Sequence, residues 1–111
     1  MGKVSKQPVG AFAPNIILSI LTLEDSYGYE IVQRVKELTN GEINWQEASI
    51  YPVLKKMEAF GLISSDWKMA ENKRYRKYYY MTEKGKIELQ NQKDEWNTMN
   101  QLLTKLSGSE I

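Results

Sequence analysis

The densest run of charge in the sequence is Lys73-Arg74-Tyr75-Arg76-Lys77, four cations in five positions. Cations packed this closely repel one another unless an anion joins them, and a nucleic-acid backbone satisfies them all at once. The same run also suits a solubilising sheet edge that resists aggregation. A second basic pair, Lys55-Lys56, closes a segment in which Ile50, Val53, Leu54 and Met57 recur at helical spacing. On a helical wheel the apolar residues share one side, while Lys55, Lys56 and Pro52 point away from it. One face packs; the other can meet phosphates or base edges. Ser49, Tyr51, Pro52, Lys55, Lys56, Lys73, Arg74, Arg76 and Lys77 are therefore the candidate DNA contacts, and the plainer alternative is that Lys55 and Lys56 only solvate a helix.

Other chemistries lack their residues. The 111 residues include no Cys and no His, which removes disulfides, thiolate nucleophiles, zinc sites and the usual proton shuttle. The adjacent acid pairs Glu24-Asp25 and Asp94-Glu95 read as solvated surface. The expectation is a protein that is not an enzyme and takes no cofactor or metal. Hydrolysis by carboxylates is the one catalytic reading left open.

The formal net charge of +1 conceals a division along the chain. Residues 10–50 carry Arg34 and Lys36 against six acids, a net of −4, and residues 51–77 carry seven cations against three acids, a net of +4. With 41% hydrophobic residues and near-zero net charge the chain should fold, and its length suits one domain. The apolar run Ile16 to Leu23 is too short to span a bilayer, meets Glu24 and Asp25 directly, and is followed by no cleavage motif. A soluble, cytoplasmic protein without a membrane partner is expected.

The elements that must position these residues follow from periodicity. Residues 1–9 lack it and should form a loose arm. Pro14 suits a first helical turn, after which Ile16, Ile17, Ile20, Leu21 and Leu23 give an apolar face. A second helix over 27–38 presents Ile31, Val32, Val35 and Leu38 and ends at Asn40-Gly41, and a third runs from near Ala48 to Phe60. Residues 62–69 and 74–81 change to aromatic and β-branched strands, forming a hairpin with its tip at 70–73. Tyr78, Tyr79 and Tyr80 suit sheet packing, with base stacking as the alternative.

Thr82 can cap a last helix to Leu106, where Leu89, Trp96 and Leu103 recur every seven residues and Met99 and Leu106 fill the intermediate position. Such a helix, about 36 Å long, cannot bury its stripe in one small domain, so a second copy of the chain is its natural partner. The expected interface comprises Ile16, Leu89, Trp96, Met99, Leu103 and Leu106. The fold class is mainly α with a two-stranded β-wing: a winged helix-turn-helix over 10–81, a dimerisation helix over 82–106 and a flexible tail over 107–111.

Three segments carry a resemblance to a known family: Tyr27-Gly28-Tyr29-Glu30-Ile31; Ser49 through Glu58 with Gly61-Leu62-Ile63; and Arg76-Lys77-Tyr78-Tyr79 with Thr82-Glu83-Lys84-Gly85. They resemble the PadR family of bacterial transcriptional regulators, and the single C-terminal helix with a central Trp is similar to its short, LmrR-like subfamily. The resemblance implies a homodimeric repressor on a pseudo-palindromic operator. It further implies a site at the dimer centre where planar aromatic compounds stack on Trp96, with Phe12, Ile16, Met99 and Asn100 as further pocket positions. Asn100 replaces an acid of that pattern, and Lys93 an aromatic residue. Read from the residues alone, Trp96 suits interface packing as well as a ligand platform. The rival to DNA binding is a winged-helix module that docks another protein through its aromatic hairpin.

Overall fold

The computed structural model describes residue 10 and residues 12–108; the arm expected at 1–9 and the end of the expected tail, 109–111, lie outside the described residues. Seven elements follow one another: α1 (Ala13–Leu23), β1 (Ser26–Tyr27), α2 (Gly28–Leu38), α3 (Glu47–Ala59), β2 (Ile63–Met69), β3 (Tyr75–Met81) and α4 (Glu83–Leu106). Pro14 occupies the first turn of α1, where its missing N–H has no helical partner to lose. Ile17 and Leu18 of α1, Ile31 and Val35 of α2, Ile50 and Leu54 of α3 and Ile63 of β2 form the fully buried centre. Leu23 and Leu38, expected on apolar faces, lie exposed at the C-terminal ends of their helices.

The expected hairpin is present, with register from Ile63 opposite Met81 to Met69 opposite Tyr75. A third strand joins it. Ser26 and Tyr27 pair antiparallel with Tyr79 and Tyr78, giving the sheet order β1-β3-β2. The periodicity predicts the second helix from Tyr27, whereas α2 begins at Gly28 and Tyr27 belongs to β1. Two residues are too few to show alternation, and this strand exists only because β3 is brought beside it.

Thr82 caps α4 as expected: its Oγ1 accepts from the Gly85 N–H at 3.0 Å and donates to the Gly61 carbonyl at 2.6 Å. Gly85 is required here, because a Cβ would sit 2.1 Å from the Leu62 carbonyl oxygen. The start of α4 is thus locked onto the turn between α3 and β2. Leu89, expected in a dimer interface, is instead 7% exposed in the core of its own chain, because α4 still passes over α1 at that point. Farther along, the 24-residue helix leaves the body of the molecule, which measures 56 × 31 × 21 Å. No helix among the described residues is long and apolar enough to cross a membrane.

Candidate nucleic-acid interface

The rotation of α3 is set by its buried side. Ile50, Leu54 and Met57 enter the core, which turns Ser49, Pro52, Lys55 and Lys56 to solvent. The helix begins at Glu47, one residue before the expected start, and Pro52 lies in its second turn. Only the exposed Ala48 carbonyl loses a helical partner there, and water can replace it.

Tyr51 joins α3 to the start of α2. Its ring lies so close to Gly28 that a Cβ there would be 2.6 Å from it. Its hydroxyl donates a 2.6 Å hydrogen bond to Glu47 Oε2, one turn back along α3. Burial, reinforced by that bond and by the Glu47 charge, pushes the phenol from its ordinary 10.0 up to about 12. Tyr51 is therefore a neutral donor near neutral pH, with its proton directed to Glu47.

The wing separates the four cations that the sequence places side by side. Its tip is a turn closed by Lys73 N–H to the Ala70 carbonyl at 2.9 Å, with Lys73 itself at φ 64°. Lys73 and Arg74 are exposed there. Arg76 is half-buried, its guanidinium 5.0 Å from the Tyr27 ring centroid, and Lys77 places Nζ 3.8 Å from Glu58 Oε1 on α3. Lys68, which sequence reasoning passed over, pairs with Asp25 at 3.7 Å and lies 4.6 Å above the Tyr78 ring. Cross-strand registry decides these partners, and a linear charge count cannot see it. Tyr78 packs edge-on against Tyr27 at 5.2 Å, and Tyr79 is buried. Burial raises the pKa of both phenols.

A separate open hollow of about 480 Å³ lies between α1 and α4. It brings together Phe12, Trp96 and Met99 of the expected ligand residues, and adds Asn15, Lys93 and Glu95. Ile16 packs instead against the core, and Asn100, although exposed, does not line the hollow. Among the described residues no cluster of acids is arranged to hold a metal ion.

The model of the transcriptional regulator PadR-like family matches residues 17–91, from α1 through the wing into α4. The chain belongs to the PadR-like family of transcriptional regulators. This PadR-like chain is similar to a PadR family transcription regulator of Clostridium difficile, with 34% identity and a TM-score of 0.75 over 86% of this chain and 98% of that one. It is also similar to Bacillus subtilis PadR in complex with operator DNA, at 29% identity and a TM-score of 0.66, over 74% of this chain and 46% of that one. It thus spans about half of the Bacillus chain. In sequence it is 32% identical over 89 residues to uncharacterized protein X of Lysinibacillus sphaericus, covering 80% of this chain and 82% of that protein. Membership bears out the winged-helix fold and the expected regulator family, and it does not favour the reading as a protein-docking module.

Proposed function

We propose that this PadR-like regulator is a homodimeric repressor that binds a pseudo-palindromic operator, with α3 in the major groove and the wing along the backbone. One observation carries the reading: Lys55 and Lys56 on α3 and Lys73 and Arg74 on the wing tip are all exposed, whereas Arg76 and Lys77 are engaged within the protein. The first set supplies phosphate contacts through counterion release; the second shapes the surface that presents them. Bacillus PadR in its operator complex shares this fold and supports the assignment. A regulator of this kind works in the cytoplasm.

Trp96, Met99, Leu103 and Leu106 line the exposed part of α4 and would meet a second copy. The resulting arm resembles that of the short LmrR-like subfamily. A planar aromatic effector stacked on Trp96 beside Phe12 and Met99 would change the separation of the two reading heads and release the operator. The test is selection of a duplex from a random-sequence pool, followed by titration at several salt concentrations. Binding that weakens log-linearly with salt is expected; absence of binding even at low salt, or a flat salt dependence, would overturn the reading.

A further inference from the structure

Ala48, Pro52 and Ala59 form the centre of the outward side of α3. With 3.6 residues per turn they fall about 160° to 200° around the helix from the buried Ile50, and all three are exposed. Lys55 borders this strip on one side, and Ser49 with Lys56 on the other. The acids of the helix lie elsewhere. Glu47 and Glu58 stand about 60° to 80° from Ile50, and both are half-buried. Each is engaged within the protein, Glu47 accepting from the Tyr51 hydroxyl at 2.6 Å and Glu58 from the Ser65 hydroxyl at 2.7 Å. The outward strip is therefore methyl and ring carbon set between cations.

Pro52 is the informative member. It is the sixth residue of α3, where a proline gives up the hydrogen bond to the Ala48 carbonyl and crowds that group, a cost that alanine would avoid. The core gains nothing in return, because the ring faces solvent. A side chain that weakens its own helix without packing inside the fold suits a contact made outside it. In a major groove, carbon surfaces favour one feature of the base edges, the C5-methyl group of thymine, whereas the other edge patterns are read by hydrogen bonds. The flanking lysines can hold the helix at the phosphates, a contact that positions without selecting sequence. Ala48 and Pro52 lie in the first two turns, the end of a recognition helix that reaches base edges.

We propose that Ala48 and Pro52 select thymine in each half-site by packing against its C5-methyl group. This selection rests on the DNA-binding reading above and adds no phosphate contact. The test uses the full chain and the selected duplex, with each thymine of a half-site replaced in turn by deoxyuridine, which removes the methyl group and leaves pairing and backbone charge unchanged. Replacement at one or two positions should weaken wild-type binding about fourfold each, while the slope of log K against log salt stays unaltered. In Pro52→Ala the loss at one of these positions should largely disappear, because the carbon surface that met the methyl group is gone. Lys55→Ala with Lys56→Ala should instead flatten the salt slope and keep the preference for thymine over deoxyuridine. Full affinity for every deoxyuridine duplex, or equal losses in the wild type and Pro52→Ala at every position, would overturn the proposal and leave DNA binding intact. A selected half-site without thymine would overturn it too. A wild type that binds no duplex at low salt would remove both readings.

Discussion

The Ser65 hydroxyl donates a 2.7 Å hydrogen bond to Oε2 of Glu58, tying the last turns of α3 directly to β2. Lys77 of β3 approaches the other oxygen of the same carboxylate at 3.8 Å. One side chain therefore links the helix to both strands of the wing, and pairs with a cation that could otherwise meet the duplex. Glu58→Ala should lower stability by about 1 kcal/mol and free Lys77 for a phosphate. The salt slope of duplex binding should then steepen by about one unit. Glu58→Gln keeps an acceptor for Ser65, so urea denaturation should show a smaller loss while the slope steepens equally.

Gly85 and Thr82 join α4 to the rest of the fold. Gly85→Ala forces a Cβ against the Leu62 carbonyl, a backbone atom that cannot step aside. A loss of about 3 kcal/mol is expected, read as a lower denaturant midpoint. Thr82→Ala removes only a cap and its bond to Gly61, and should cost about 1 kcal/mol.

The Tyr51 phenol predicts how stability responds to alkali. Its folded pKa of about 12 exceeds the ordinary 10.0, so the folded state favours the neutral form. The stability this contributes is complete below the unfolded value and should be lost as pH rises from 10.0 to about 12. Ultraviolet titration of tyrosinate should show phenols ionising late, with one fewer in Tyr51→Phe. Glu47→Gln should bring the Tyr51 pKa down, leaving burial as the main remaining cause.

Exposed apolar residues on α4 should govern assembly. Leu103→Glu puts a charge on the stripe and should shift sedimenting species from dimer to monomer, without altering the denaturation of the individual fold. An unchanged sedimentation coefficient would leave the dimer without its proposed seam.

Trp96 should report an effector. Titration with planar aromatic compounds should quench fluorescence of the wild type, and Trp96→Ala should lose that response. Quenching that persists through Trp45 and Trp67 would leave the hollow without a ligand role.

Local pattern was sufficient for much of this protein. The helical spacing of Ile50, Leu54 and Met57, the alternating strands, the Thr82 cap and the basic tip are each written in consecutive residues, and each depends on forces acting within one element. The family motifs are local in the same sense. Tertiary structure decided what depends on residues far apart in the chain. It made β1 from two residues that show no pattern of their own and drew Leu89 into the core. It divided the run Lys73 to Lys77 between exposed tip and engaged wing, through partners at Tyr27 and Glu58 that only folding brings near. It also placed Trp67, Met69 and Tyr75 on one bare face, because strand register, a relation between two segments, determines which side chains stand together.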